Sequence, residues 1–517
     1  MKSISNSNYI LFSVLSILLF TGCDKELLDQ KNPNSITPKT FWRNSDDAKK
    51  GIIGAYSPLD VSHLYGRHIV FATDYRDDIV NPFATSPRTE PARFQGDSGS
   101  KAVRQVWIQL WNVISRSNEV LYHVPKIEMN DGLKNNILGE ALYLRALSYF
   151  ELVNLWRNVP LIVAPISIKE SKEVSQFSPK EVWEQIISDL KEAVNLLPTS
   201  WSGDDLGRAT SGAAIAMLGK AYLFTSNYDM AKNTFQRIID NPRYELMKNY
   251  SDNFSQFTEN NKESIFEIQM LSDGNQDYGP DGAGTGRALN LVLDFAPPGF
   301  TNQNSMRINQ WVLDLFLDER TINGEIDPRA FVTMFWNTDE TTVYQGKILS
   351  TKTYKDLTYA EAFSISDTRI FGNKYIDSET GVGSAVMHQS SANWRLIRYA
   401  DVLLMYAEAD MMINGGGATQ TAVDAVNQVR RRVDMPDFDF SMTMQDLMDE
   451  RVKELALEHV RWYDLLRWNM VKERVVDVPG IKSESGGIGS YAPGREYLDI
   501  PQVDLDNNVN FKHNPGY

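Results

Sequence analysis

The chain has 517 residues, 42% hydrophobic and 23% charged, an ordinary globular composition with ample material for a large core. Its formal charge is −15, and it becomes −16 if a leader containing Lys2 is removed, leaving 51 basic against 67 acidic groups. That balance argues against nucleic acid and other polyanions, which would meet long-range repulsion, and a single cysteine excludes an intrachain disulfide.

In chain order, Lys2 precedes an apolar run from Tyr9 to Phe20 that is too short to span a bilayer and ends in Thr21-Gly22-Cys23. This predicts a lipoprotein-type signal peptide over residues 1–22, with the Cys23 thiol as the acyl acceptor, although Phe20 stands where leucine is commoner. Two or more acyl chains, at about 0.8 kcal/mol per buried methylene, would anchor the protein to a membrane. Gln30 to Thr40 reads as a tether, and Asp46 to Tyr56 as a first helix capped by Ser45.

Residues 71–100 hold three prolines and no 3.6-residue stripe, which predicts a long loop, and long loops in compact domains are commonly functional. Tyr75, Arg76, Asp78, Asn81, Phe83 and Arg93 interleave rings with planar polar groups. A neutral sugar needs that mixture: rings cover its apolar faces, and carboxylates, amides and guanidinium groups take its hydroxyls.

Val103, Val106, Trp107, Leu110, Ile114 and Leu121 form one helical stripe, with Asn118 as a packed polar member. Ile137, Ala141, Leu144, Ser148, Leu152 and Leu155 form the next. Ser178-Pro-Lys-Glu181 is a capping box that opens a helix stopped by Pro198. From Ser211 to Pro242 the spacing Ile215, Leu218-Gly219, Tyr222, Ala231, Phe235 and Pro242 matches a tetratricopeptide hairpin, with its proline one place early. Gly219 and Ala231 are the small residues where two helices touch, and Leu218, Tyr222 and Phe235 fill the seam. One hairpin cannot bury its apolar face alone, so the helices before it should stack with it into a superhelical wall.

Between Asn249 and Arg395 the pattern turns irregular. Glu263 to Gln269 alternates like a half-buried strand. Asp273, Asn275 and Asp277 have the spacing of half a calcium loop, but the glycine comes late and no closing glutamate follows, so a turn-rich loop is expected and no metal. Gly282, Gly284 and Gly286 follow no strand and make no nucleotide fingerprint. Tyr278, Trp336 and Tyr344, in polar surroundings, join the ligand candidates. Trp311 to Arg320 reads as a short helix. Helices are expected again over Trp394 to Ala409 and Ala422 to Arg432. A third, capped by Thr443 and Asp446, has a buried line running Met448, Val452, Leu455, His459, Trp462 and Leu466. His459 on that line is read as a satisfied core histidine.

Four stretches together resemble the SusD/RagB glycan-uptake lipoproteins of Bacteroidetes. They are Glu140-Ala-Leu-Tyr-Leu-Arg-Ala with Leu155-Trp-Arg-Asn-Val-Pro, Arg398-Tyr-Ala-Asp-Val-Leu-Leu-Met-Tyr-Ala-Glu, Glu450-Arg-Val-Lys-Glu-Leu-Ala-Leu-Glu with Arg461-Trp-Tyr-Asp, and the ending Ile-Pro-Gln502 to Asn514-Pro-Gly-Tyr. Asp24, Lys25 and Glu26 likewise resemble a surface-export signal. Helical pairs Glu458 with Arg461 and Asp464 with Arg467 are expected within the third stretch, with Trp462 and Trp468 packing it to the body. The resemblance implies a mostly α fold, a tetratricopeptide-like scaffold with a loop-rich second half. Two regions, 23–240 and 241–517, would pack as one body. It also implies a lipid-anchored site on the outer membrane's external face, no cofactor, and a TonB-dependent SusC-like porter as partner. It transfers no ligand residue position by position.

The expected activity is capture of oligosaccharide without catalysis, peptide capture being the close alternative. A glycosidase would need a set carboxylate pair that no spacing singles out, and a hydrolase needs a nucleophile motif that is missing here. A scaffold that only joins proteins is the third class.

Overall fold

The computed structural model describes residues 41–83, 87–272, 286–296, 306–351, 368–375, 390–483, 486–489 and 491–517. Cys23, Tyr278 and the half calcium loop at 273–277 lie outside them. The scaffold is helical: α1 (Ser45–Tyr56), α2 (Lys101–His123), α3 (Asp131–Trp156), α4 (Pro179–Leu196), α5 (Ser211–Phe224) and α6 (Tyr228–Ile239). Each packs on the next, because each carries an apolar face that it cannot bury alone. After a long irregular section, α7 (Tyr399–Ile413) returns to lie on α6, and α8 (Gln420–Arg432) and α9 (Met444–Leu455) pack on α7. A short helix, α10 (Arg461–Arg467), follows.

The α5–α6 hairpin explains its sequence. Leu218, Tyr222, Ala231 and Phe235 are buried, and a Cβ on Gly219 would lie 2.5 Å from Cε1 of Phe235. Only glycine lets the ring close on the α5 backbone. Burying each large side chain contributes about 1.5–3 kcal/mol. The Ser178 capping box forms, its backbone N–H donating to Glu181 Oε2 at 2.9 Å with Pro179 at the first helical position. The Thr443–Asp446 box also forms. The first helix is capped one residue earlier than expected. The Asn44 side chain accepts from the backbone N–H groups of Asp46 and Asp47, and Ser45 is the helix's first residue. An amide oxygen at that position satisfies two orphan donors.

The irregular section holds two-stranded pairings: β1 (Val80–Pro82) with β3 (Met306–Ile308), and β2 (Ser264–Ile268) with β4 (Trp394–Arg398), both antiparallel. The expected strand at 263–269 is therefore β2. Its partner corrects another expectation, since Trp394 to Arg398 is extended and helix α7 starts only at Tyr399. Arg398 stands at that junction and is buried among carboxylates, donating to Glu458 (2.7 and 2.9 Å), Glu263 (2.5 Å) and Glu454 (3.0 Å). Those long-range partners fix the extended approach.

The line from Met448 to Leu466 is likewise not one helix. It breaks after Leu455, and Leu457 and His459 have positive φ (64° and 66°). The break redirects the charges. Glu458 faces Arg398 and Lys374 rather than Arg461, while Asp464 with Arg467 forms as expected at 2.7 Å. Trp462 is buried, and Trp468 donates its indole N–H to Glu408.

Candidate ligand-binding site

Residues 75–83 were expected on a solvated loop. The structure instead threads most of them through the interior, between a helical turn at Ile69–Ala72 and β1. The Tyr75 hydroxyl donates to Asp294 at 2.9 Å, and Arg67 grips the same carboxylate with two bonds of 2.7 and 2.8 Å. Arg76 is buried over the Trp462 ring, 4.2 Å from its centroid, and donates to the carbonyls of Arg495 and Glu496. Asp78 takes two 2.7 Å bonds from Arg461 and one of 2.9 Å from Arg474. Burial alone would raise the Asp78 pKa, but the two guanidinium groups outweigh it and hold the carboxyl below the usual range. Trp336 and Tyr344 are only 4% and 3% exposed. Trp336 packs on Phe331, and the Tyr344 hydroxyl accepts from the Tyr250 N–H while donating to the Lys248 carbonyl. Tyr75, Arg76, Asp78, Trp336 and Tyr344 are therefore core residues in this conformation. For Tyr75, Arg76, Asp78 and Tyr344 the physical reason is shared: polar groups that look like surface chemistry are satisfied by partners far away in sequence, while Trp336 is buried against its near neighbour Phe331.

Three expected residues sit differently. Phe83, at the end of β1, is 46% exposed, Arg93 is half-buried, and Asn81 lies just beneath the surface. The Asn81 amide donates to the Gly480 carbonyl (3.2 Å) and Ser483 Oγ (3.3 Å), and Arg93 Nε to the Gly487 carbonyl (3.4 Å). The 480–489 segment is thus a strap over the 75–95 run. Lys482 is its buckle, with an ammonium donating to the carbonyls of Tyr75 (2.7 Å), Asp77 (2.5 Å) and Val80 (2.5 Å). Burial pushes its pKa down to about 8.

Behind Phe83 the structure adds residues that sequence reasoning missed. Pairing of β1 with β3 brings the Arg307 guanidinium 4.9 Å from the Phe83 ring centroid and 4.5 Å from that of Phe371, which in turn lies 5.5 Å from the Arg369 guanidinium. Guanidinium groups and rings thus alternate from the half-buried Arg369 through the buried Phe371 and Arg307 to the exposed Phe83. Such stacks contribute about 0.5–2 kcal/mol each. No local spacing could have found Arg307, because it meets Phe83 only through the register of β1 on β3. An exposed aromatic ring can take an apolar sugar face, and polar groups around it the hydroxyls.

The architecture is a helical-repeat scaffold whose α6 and α7 are separated by a long irregular section. A sequence model described as the SusD family matches residues 262–517, and one described as starch-binding associating with outer membrane matches residues 27–223. SusD-like protein P25 of Formosa agariphila is 25% identical, over 91% of each chain, and SusD-like protein P2 of the same organism is 26% identical, over 98% of this chain and 99% of its own. A SusD superfamily protein from Bacteroides vulgatus superposes with a TM-score of 0.78 at 25% identity, over 92% of this chain and 100% of its own. A laminarin binding SusD-like protein gives 0.74 at 26%, with the same coverage. The chain belongs to the SusD family.

Proposed function

We propose that the protein is a surface glycan-binding lipoprotein that captures oligosaccharide and hands it to a TonB-dependent SusC-like porter without cleaving it. The observation that carries this reading is the end-to-end family match, including the starch-binding, outer-membrane-associating model over residues 27–223. Phe83, Asn81 and Arg93 are the contact residues we assign, with Tyr278 as a further candidate. One relative is a laminarin binding protein, which makes a β-glucan the first ligand to try. Acylation at Cys23 would supply the anchor, and among the described residues no helix is long and apolar enough to cross a membrane.

Affinity electrophoresis through gels loaded with individual polysaccharides tests the reading. Retarded migration in at least one gel is expected, and normal mobility in all of them contradicts it.

A further inference from the structure

A cleft of about 510 Å³ opens between the end of α3 and the residues after α10. Its size falls within the range of small-molecule sites, about 300–1,000 Å³. Two tyrosine rings, Tyr491 and Tyr497, form part of its wall. Three planar polar groups stand around them: the Arg157 guanidinium, the Asn469 amide and the Glu473 carboxylate. Among the described residues none of these three side chains has a hydrogen-bond or ion-pair partner.

Arg157 carries the argument furthest. It ends α3 at φ 62° and ψ −76°, and the Asn158 N–H closes back on the Trp156 carbonyl at 2.8 Å. That is a γ-turn of the positive-φ kind, which is rare and strained. The Trp156 carbonyl also accepts from the Asn514 amide, and the Trp156 indole donates to the Asp499 carbonyl at 2.9 Å, so the turn is held from both sides. Glycine would adopt it without a Cβ penalty. An arginine here, exposed and stacked 5.1 Å from the Tyr497 ring centroid, is a side chain kept where the backbone disfavours one. Strain of this sort clusters at ligand sites.

The charges around the cleft define the ligand class. Lys472 is taken by Asp477, and Glu496 by the Tyr491 hydroxyl and the Gly494 N–H. One unpaired cation, one unpaired anion and one amide remain. That set favours no ion, but offers donors and acceptors in pairs to vicinal hydroxyls, beside rings that cover an apolar sugar face. We infer that this cleft is a second saccharide subsite, taking a neutral sugar unit on Tyr497 with Arg157 and Glu473 on its hydroxyls. For its class of ligand the inference rests on the glycan-binding reading above. Tyr491 stacks edge-on against Phe94, next to Arg93, at 5.2 Å, which ties the cleft wall to the segment that carries Arg93.

The test is calorimetric titration of wild type, Arg157→Gly and Glu473→Ala with the neutral hexasaccharide that wild type binds most tightly, chosen from α- and β-glucans, xylan, mannan and galactan. Arg157→Gly relaxes the γ-turn, so its melting temperature should not fall. Both variants should bind at least fivefold more weakly, or lose one of two sites. Affinity and stoichiometry within twofold of wild type in both variants overturn the subsite and leave the glycan reading standing. A wild type that binds none of the hexasaccharides overturns both.

Discussion

Arg461 and Asp78, 383 residues apart, form a bidentate pair of two 2.7 Å bonds with the carboxylate wholly buried. The pair pins the 75–83 run to α10, and Arg474 adds a third bond. Removing one partner leaves a buried charge, so Arg461→Ala should destabilise the fold by about 3–5 kcal/mol, read as a lower denaturant midpoint. Because the folded Asp78 pKa is depressed, the pair's contribution is complete above the ordinary carboxylate value. It is lost as pH falls through the folded value. An unchanged midpoint at pH 7 would remove the pair from the stability account.

His459 gives the opposite sign. Burial disfavours its charge, but the Glu151 carboxylate and Asp74 outweigh that and raise its pKa above 6.5. Its contribution is therefore full below 6.5 and fades as pH rises through the folded value. The melting-temperature difference between wild type and His459→Gln should be largest in mild acid and shrink on the alkaline side. A difference independent of pH contradicts this.

At Gly219 an added Cβ meets the Phe235 ring. Despite alanine's better helix propensity, Gly219→Ala should destabilise by about 1–3 kcal/mol through overpacking. Chemical denaturation decides, and a stabilised variant would show that the hairpin has room to spare.

Tyr75 and Phe83, eight residues apart, should part company. Tyr75→Ala removes a buried ring and the hydroxyl donated to Asp294, costing about 3–5 kcal/mol. Phe83→Ala should lower stability only by the loss of one partly exposed stack on Arg307, about 0.5–1 kcal/mol, and weaken glycan binding about tenfold, or ~1.4 kcal/mol. Titration and thermal melts on both variants separate ligand contact from core.

The anchor is tested by Cys23→Ala, which should move the protein from the membrane pellet to the soluble fraction. Retention in the pellet contradicts acylation at that residue.

Much of the scaffold was legible because its signals are local. The Ser178–Glu181 box closes within one turn and the α5–α6 spacing within one hairpin, whereas Asn118, placed on its face by the helical stripe, is satisfied from farther off, accepting from Arg145 at 2.8 Å and donating to the Ile162 carbonyl at 2.9 Å. The site was far less legible. Tyr75 and Asp78 have the composition of a sugar-binding loop, yet their partners Asp294 and Arg461 are reached through tertiary folding. Trp394-Arg-Leu-Ile-Arg398 reads as helix by pattern and becomes a strand because β2 pairs with it. Arg307 and Lys482 carried no signal at all, since Arg307 acts only through the pairing of β1 with β3 and Lys482 only where the strap meets the carbonyls of Tyr75, Asp77 and Val80.

The central claim is capture without cleavage. Its most direct test is one incubation of the soluble ectodomain with laminarin and a panel of neutral polysaccharides, followed by calorimetry and a reducing-end assay on the same samples. The account predicts saturable binding to at least one polysaccharide and no new reducing ends. New reducing ends, or binding to peptides and to none of the polysaccharides, would contradict it.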